Sequence, residues 1–318
     1  MVYELGAYVG PPRPLLDPAS FRSRVLDDSR SLPTPASDAS ALAGGDADIV
    51  VRPVATRAEC QACVALQHEI WGPGHADAVP ASILQVVAKV GGIVAGAFAP
   101  DGELVGFVFG LPALIDGTLA HWSHILGVRE SWRNAGVGRL LKEYQRAELA
   151  RRGITRMYWT FDPLVAKNAH LNLNLLSARV VEYVRDMYGT TTSPLHNGLA
   201  TDRLVVACDT SPDAPHSSPP TSRQATHTPV LTAEPRAGDV TALIVGDHRP
   251  PTLLIEVPVD IQLVTAQGSE RAALWHSAVR THFEWALEHG YVVSGLRRDP
   301  VTSRAFYVLT AHAPGTTK

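Results

Sequence analysis

One turn of this chain says most about its fold: Arg133-Asn134-Ala135-Gly136-Val137-Gly138. It joins an apolar run, His121 to Val128, to an amphipathic helix that we predict to reach Arg152. Gly136 and Gly138 have no Cβ, so the backbone can approach an anion closely and the first N–H groups of the helix remain able to donate. The helix dipole adds partial positive charge at the same point. The stretch therefore has the features of a phosphate-binding turn.

Spacing separates this turn from two other phosphate-binding loops. A Walker loop needs Gly-Lys-Ser/Thr at the helix start, whereas Gly138 is followed by Arg139 and Leu140. A Rossmann turn needs a third glycine where this chain has Leu141. Arg133 and Arg139 flank the turn, and their guanidinium groups offer several donors to a pyrophosphate. The alternative interpretation is an ordinary glycine-containing turn between a strand and a helix.

Composition fits a globular enzyme. The chain has 318 residues, of which 45% are hydrophobic, enough for one or two domains with a substantial core. A net charge of -3 argues against a nucleic-acid partner. Three cysteines form no disulfide framework, and we interpret the single C-x-x-C pair, Cys60 and Cys63, as helix packing rather than a metal site. With no apolar run near the ~20 residues of a membrane span, we expect a cytoplasmic protein without metal or membrane partner.

Changes in composition predict four segments. Residues 1–47 are rich in Pro, Ala, Ser and Asp and have no sustained period, so we expect a disordered arm. Residues 48–208 form the main domain, 209–238 a linker or long loop, and 239–312 a C-terminal extension. The extension is small for an independent core, so we expect it to dock on the main domain.

Hydrophobic patterns predict the elements of both folded segments. In the main domain, helices are expected after the capping box Thr56-Arg57-Ala58-Glu59, after the glycine turn, and over Asn168 to Met187. The helix after the glycine turn is expected to end at Gly153, and its apolar positions are Val137, Leu140, Leu141, Tyr144 and Ala147. Its strands are expected at Ile49 to Val54, Ile93 to Phe98, Leu104 to Phe109, His121 to Val128, Ile154 to Phe161 and Leu204 to Cys208. The turn Pro100-Asp101-Gly102 predicts a hairpin of the second and third of these strands. In the extension we expect strands at Thr241 to Val245, Leu253 to Glu256 and Phe306 to Leu309, and a helix over Glu270 to His289. The apolar positions of this helix include Ala273, Ala278, Phe283 and Leu287.

The glycine turn after a strand resembles the acyl-CoA pyrophosphate turn of the GNAT acyltransferase superfamily. The stretches Trp159 to Leu164, Asn168-Ala169 with Asn172, Tyr183, Tyr188-Gly189 and Thr201-Asp202-Arg203 are similar to a bacterial GNAT-like family with a C-terminal extension. The resemblance implies an α/β GNAT fold, with a mixed and mostly antiparallel central sheet flanked by helices, and a small α+β extension. It also implies acyl-CoA as co-substrate, with acetyl or succinyl as the acyl group, and a small-molecule amine, amino acids included, as acceptor.

The same resemblance assigns the acyl-CoA site. The strand before the turn is expected to splay from its neighbour, so that Leu126, Gly127 and Val128 contact the pantetheine arm and offer N–H groups to the thioester oxygen. The turn, Arg139 and Asn168 complete the cofactor site. Acceptor amines have pKa values near 10, so a base is useful. Our first candidate is His124, followed by His121, which is also a substrate contact, and by Asp162. A hydrogen-bonded core histidine is the alternative interpretation of His124.

The general acid departs from the family pattern, because Leu173 stands where a thiol-protonating tyrosine is usual. Tyr183 and Tyr188 are the candidate substitutes, and half-buried core tyrosines are the alternative. For an acceptor carboxylate, Arg203 and Arg280 are the candidate partners, with ordinary ion pairs as the alternative. The missing tyrosine keeps a non-catalytic acyl-CoA sensor in consideration. Protein-lysine acylation is a further alternative, and a homodimer is left open.

Overall fold

The computed structural model describes residues 49–73, 77–189, 199–211, 228–235 and 250–311. The expected arm, most of the linker and the expected strand at Thr241 to Val245 lie outside these residues. Within them, no helix combines the length and apolar character that crossing a bilayer requires.

Seven strands form the first sheet, in the spatial order β1-β2-β3-β4-β5-β7-β6. Every neighbouring pair is antiparallel except β4 and β5, which are parallel. The expected mixed and mostly antiparallel central sheet is therefore confirmed. The strands are β1 (Val50–Pro53), β2 (Ile93–Phe98), β3 (Leu104–Ile115), β4 (Thr118–Val128), β5 (Arg156–Phe161), β6 (Arg179–Val184) and β7 (Arg203–Asp209).

Helices cover both faces of this sheet. On one face lie α1 (Arg57–Trp71), which begins with the predicted capping box, and α2 (Ala81–Lys89), which the sequence analysis missed. Their core with the sheet includes Cys63, Leu66, Leu84 and Phe107. On the other face lies α3 (Val137–Arg151), which starts at the glycine turn and stops before Gly153, where φ is +72°. That glycine acts at the helix C-terminus, as the sequence predicts.

The helix expected over Asn168 to Met187 is wrong. The segment instead forms a short helix α4 (Ala166–Ala169), a π-helical turn (His170–Leu175) and then strand β6. Ser177 has a positive φ of 54°, which ends the helical path. The β-branched run that follows pairs antiparallel with β7, and strand pairing overrides the helical period.

A second sheet of four strands has the order β10-β11-β9-β8. Its strands are β8 (Val230–Leu231), β9 (Thr252–Val257), β10 (Tyr291–Asp299) and β11 (Arg304–Ala311), and its helices are α5 (Ile261–Gln267) and α6 (Ser269–Glu288). The buried face of α6 consists of Ala272, Trp275, Val279, Phe283 and Ala286. The expected apolar position Ala273 is exposed instead, one residue away from this face.

The second sheet shares a hydrophobic core with the first. Tyr307 on β11 is fully buried and donates its hydroxyl to the carbonyl of Pro163 (2.9 Å). The side chain of Asn174 exchanges two hydrogen bonds with the backbone of Leu296 on β10 (2.7 and 2.9 Å). These contacts fasten the second sheet to the segment that follows β5.

A buried carboxylate adds an ionic contact between the sheets. Asp202, 2% exposed, accepts two hydrogen bonds from Arg280 of α6 (2.7 and 2.5 Å), one from the Tyr183 hydroxyl (2.6 Å) and one from the backbone N–H of Asp186 (2.9 Å). Burial alone would raise the pKa of Asp202, but the bonds from Arg280 and Tyr183 outweigh it and the pKa is lowered. Asp202 therefore stays ionised and holds α6 against β6 and β7.

We expect Arg280→Met to lower the free energy of unfolding by about 2–3 kcal/mol, because it leaves the buried Asp202 carboxylate without its cation. Since the folded pKa of Asp202 is depressed, its contribution is present above the unfolded pKa near 3.9 and is lost as the pH falls through the folded value. Urea unfolding at pH 7 and pH 3 measures both effects. Arg271→Met on the same helix is the matched control, because its ion pair with Glu234 is exposed. Equal midpoints for the two variants at pH 7 would contradict the prediction.

Candidate active site

The glycine turn presents backbone donors at the start of α3. Asn134 and Gly136 have φ values of 71° and 81°, in the left-handed region where glycine carries no strain. Gly136 is the N-cap of α3 and supplies no side chain there. Within the described ranges, the backbone N–H groups of residues 134–139 have no hydrogen-bond acceptor. They are the orphan donors that an anion at a helix N-terminus uses.

The two flanking arginines are exposed and lie beside these donors. Arg133 donates its Nε–H to the carbonyl of Val128 at the end of β4 (3.3 Å), and Arg139 pairs with Glu143 one turn along α3 (2.6 Å). A pair as exposed as this one is weak, so its guanidinium can exchange partners at small cost. Both arginines are thus placed to contact an anion at the turn.

Strands β4 and β5 separate next to the turn, as the resemblance implies. They pair at His121 with Met157 and at Trp122 with Tyr158, and no pair follows among the described residues. From Leu126 to Val128, β4 remains paired with β3 on its other edge. The edge of β4 that faces β5 is therefore open over these three residues, which the sequence analysis assigned to the thioester and its pantetheine arm.

Gly127 has a packing role as well. A Cβ at this position would lie 2.8 Å from Cδ1 of Ile70 and 3.1 Å from the Trp71 ring, because α1 crosses the strand closely here. Leu126 and Val128 point to the opposite face, where both lie within 4 Å of a Cβ built on Gly138. The strand thus brings α1 and α3 together at the opening.

His124 lies at a β-bulge of β4, where the register with β3 shifts between Ile125 and Ser123. Its side chain is exposed, and the edge of its ring faces Phe109 at 6.0 Å between centroids. Desolvation by neighbouring atoms lowers the pKa of His124, and the charge of Asp77 partly opposes this shift. The imidazole is therefore neutral near pH 7, the form that a general base requires.

His121 lies elsewhere. It is fully buried beneath α3, and its Nε2 lies 3.0 Å from Nε2 of Gln145. Burial, followed by the charges of Lys142 and Arg152, lowers the pKa of His121 to about 4. The position of His121 does not fit its expected role in substrate contact or as reserve base, because the ring is fully buried and out of reach of an acceptor at the surface. Its position also explains Gly110, where a Cβ would lie 2.2 Å from Nε2 of His121.

The two candidate acids differ sharply in their surroundings. Tyr183 lies on β6 rather than on a helix, stacks on Phe283, and donates its hydroxyl to Asp202. Burial and the neighbouring carboxylate raise the pKa of Tyr183. A raised pKa makes the hydroxyl a weaker acid, so Tyr183 does not fit its expected role as the general acid. Tyr188 is 43% exposed, and its hydroxyl lies 3.2 Å from Oγ1 of Thr160. Thr160 lies two residues beyond Tyr158, the last residue of β5 that pairs with β4. Leu173 is buried in the π-helical turn.

The candidate carboxylate partners also differ. Arg280 donates from Nε and from Nη2 to the two carboxylate oxygens of Asp202. This arrangement does not fit its expected role in binding an acceptor carboxylate. Arg203 lies 3.6 Å from Asp162 and 5.3 Å from the Tyr188 ring, at the end of β5. Asp162 also accepts the N–H of Leu164 (2.8 Å), which shapes the turn after β5. Asn168 is exposed on α4.

A buried polar group beneath the opening was missed from the sequence. The predicted apolar positions of α3 included Ala147, but the structure exposes Ala147 and buries Lys142 and Gln145 with Leu141 and Leu149. Lys142 donates to Oγ of Ser123 on β4 (2.7 Å). The signal was the spacing itself, since the two polar residues are three apart on the stripe that the leucines define.

No family model matches the chain, and no curated protein matches it. Solved structures match about half of it. They include ribosomal-protein-S18-alanine N-acetyltransferase from Escherichia coli (16% identity, 51% of this chain and 94% of that chain, TM-score 0.41) and a GNAT-family acetyltransferase from Streptococcus pneumoniae (15%, 51% and 99%, 0.42). A third is yncA from Salmonella typhimurium, solved with its cofactor acetyl-CoA (18%, 53% and 97%, 0.41).

The likeness to these neighbours covers about half of this chain. Identities of 15–18% and TM-scores of 0.41–0.42 leave the chemistry to be argued from the residues of this chain. The described residues contain no group of three His, Cys, Asp or Glu side chains that could hold a metal.

If the turn binds the phosphates of CoA, Gly138→Val should weaken that binding at least tenfold. The branched side chain would stand among the donors, while its Cβ would lie 3.5 Å from Leu126 and 3.9 Å from Val128, which is ordinary contact. Calorimetric titration with CoA measures the effect. Ala147→Val is the matched control, since it introduces a valine at an exposed site of the same helix. Unchanged affinity in a folded Gly138→Val protein would contradict the placement.

Proposed function

We propose that the protein transfers an acyl group from acyl-CoA to the amine of a small molecule. The observation that carries this proposal is the junction of two features: the orphan N–H groups at the start of α3 and the open edge of β4 from Leu126 to Val128. The first suits a pyrophosphate, and the second suits an extended pantetheine arm that pairs as a strand would. Their adjacency fits one elongated ligand that carries both groups.

The thioester would then lie where β4 and β5 separate. Backbone N–H groups of β4 would stabilise the oxyanion of the tetrahedral intermediate, because they are fixed in place before the reaction. The acceptor would approach from the side of His124, which lies on β4 near Phe109 and the charge of Asp77. His124 would take the proton of the acceptor ammonium, directly or through one water.

Tyr188 is the better candidate for protonating the leaving thiolate. Its hydroxyl contacts Thr160 on β5, across the opening from β4, and the side chain is exposed. In this proposal His124 on β4 would supply the base and Tyr188 beside β5 the acid, one from each strand that borders the opening. This arrangement favours catalysis over an acyl-CoA sensor, since a sensor needs neither group.

The acceptor proposed is a small amine that carries a carboxylate, such as an amino acid. Arg203 is the first residue of β7 and lies beside Tyr188, near the end of β5. Its side chain is 12% exposed. A partly buried guanidinium attracts a carboxylate more strongly than an exposed one, because water screens it less. Acetyl and succinyl groups both fit the proposal as the acyl group.

Thiol release tests the function. Acetyl-CoA and succinyl-CoA would each be incubated with amino acids, polyamines and a lysine-containing peptide, and CoA release measured. Turnover with amino acids that exceeds turnover with the peptide is the expected result. Preference for the peptide would favour protein-lysine acylation, and CoA binding without turnover on any acceptor would favour a sensor.

His124→Ala should lower kcat about 10²- to 10⁴-fold near pH 7, the usual contribution of a general base. The deficit should shrink as the pH rises, because free amine accumulates and no longer needs a base. His124→Gln is the control, since glutamine keeps hydrogen bonding but does not titrate. A rate restored by glutamine, or a deficit independent of pH, would make His124 structural.

Measurements of kcat and of the melting temperature should distinguish the roles of the two tyrosines. Tyr188→Phe should lower kcat about 10- to 100-fold with the melting temperature unchanged, because only the exposed hydroxyl is removed. Tyr183→Phe should lower the melting temperature, because Asp202 loses a buried hydrogen bond, and should spare the kcat of the folded protein. Steady-state kinetics and thermal melts of both variants decide. The reverse pattern would return the acid role to Tyr183.

A further inference from the structure

Among the residues that the structure describes, the ammonium group of Lys142 lies in the core and forms no ion pair. Lys142 is 5% exposed, and its Nζ donates to Oγ of Ser123 and lies 4.1 Å from the centroid of the Trp159 ring. The Trp159 indole in turn donates its N–H to Oδ1 of Asn172 (2.9 Å). The ammonium is thus held by a hydroxyl and an aromatic face, both of which favour its charged form.

The two contacts fall at a special point of the sheet. Pairing between β4 and β5 ends at Trp122 and Tyr158, and Ser123 and Trp159 are the next residues on each strand. The Lys142 side chain therefore touches both strands at the first position where their own hydrogen bonds are missing. It replaces the lost strand pairing with one contact to each strand.

We propose that Lys142 is a positioning residue that clamps β4 to β5 where they separate and so sets the width of the opening. The clamp deepens the proposed function, on which it rests, because the opening is where the thioester would lie. An ammonium bound to both strands keeps the donors of β4 at a fixed distance from the groups beside β5. Fixed geometry of this kind is what preorganised catalysis requires.

Stability alone gives no reason for a lysine here. Burial lowers the pKa of Lys142 to about 7, which reflects the cost of charging it in the core. The titratable neighbours compensate little. Burial lowers the pKa of His121 on β4 to about 4, so this ring is neutral near pH 7. Cys208 on β7 opposes the shift of Lys142 only as a thiolate, and burial raises the pKa of this thiol. On its own helix the charged neighbours of this cluster are Arg146 and Arg152, which are also cations.

The sign of the pH effect follows from linkage. The unfolded chain keeps Lys142 protonated up to its ordinary pKa near 10.4, whereas the folded protein releases the proton near pH 7. Between these values the unfolded state binds more protons, so stability rises with pH. The clamp itself needs the ammonium, and therefore weakens as the pH rises through about 7. Stability and clamping thus change in opposite directions.

The test is Lys142→Met, which keeps an unbranched side chain one atom shorter and removes the charge. Lys89→Met on α2 is the matched control, because Lys89 is exposed and far along the chain from the opening. Amide hydrogen exchange at pH 6 should become about tenfold faster in residues 123–128 and 159–161, since a charge-assisted hydrogen bond and a cation–π contact are lost. The melting temperature should stay equal or rise.

Kinetics supply the second readout. At pH 6, Lys142→Met should lower kcat about tenfold, and the ratio of wild-type to variant kcat should fall toward one as the pH rises through about 7, where the wild type loses its own ammonium. A residue with only a structural role would lower the melting temperature and leave this ratio independent of pH. Ser123→Ala should shift exchange in the same segments by less, with no further effect when combined with Lys142→Met.

The outcomes are distinguishable. Unchanged exchange in both segments overturns the clamp, and faster exchange with unchanged kcat overturns its positioning role. Faster exchange in a protein whose wild type neither binds CoA nor releases thiol supports the clamp and contradicts the proposed function. If Lys142→Met does not fold, exchange in Ser123→Ala decides alone.

Discussion

The separation of β4 from β5 is the constraint on which the rest of this structure depends. Two parallel strands that pair at only two positions are not held in place by each other. Each is fixed from its outer edge instead: β4 by its pairing with β3, and β5 by β7. The open edges carry backbone donors and acceptors that need partners, because unpaired backbone groups are costly away from water. An elongated ligand with its own amide groups supplies such partners, and the helix start at Gly136 lies at the same opening.

The second sheet follows from this arrangement. Strand β5 can be held from outside only if β7 and the segment after β5 are themselves fixed. Tyr307, Asn174 and Arg280 do this by fastening that segment and the start of β7 to the second sheet and to α6. The core is continuous through Phe283, which contacts the rings of Tyr183 and Tyr307. The contacts of the second sheet and of α6 thus hold the segment after β5 and the start of β7 in place.

Sequence predicted the elements that depend on local interactions. The capping box at Thr56, the hairpin turn at Gly102 and the glycine turn before α3 each need only a few neighbouring residues, and the structure contains all three. The segment after Asn168 was wrong because its apolar residues fit both periods, and the choice was made by pairing with β7 more than 20 residues later. The buried face of α3 was misplaced for a related reason. Lys142 and Gln145 are polar and were not among the predicted apolar positions, although both are buried and contact Ser123 and His121 of β4.

The candidate site shows the same division between local and distant causes. Glycines and a helix start can be recognised in a sequence, so the backbone part of the site was predictable. The side-chain part depends on the bulge at His124, which inserts one residue into β4 relative to β3. A shift of one residue exchanges the two faces of a strand. Without the bulge, Gly127 would face α3, and Leu126 and Val128 would face α1, where Ile70 already lies 2.8 Å from the Cβ position of Gly127. The bulge therefore lets α1 pack closely, exposes His124 and keeps His121 in the core, and no local pattern in residues 121–128 specifies it.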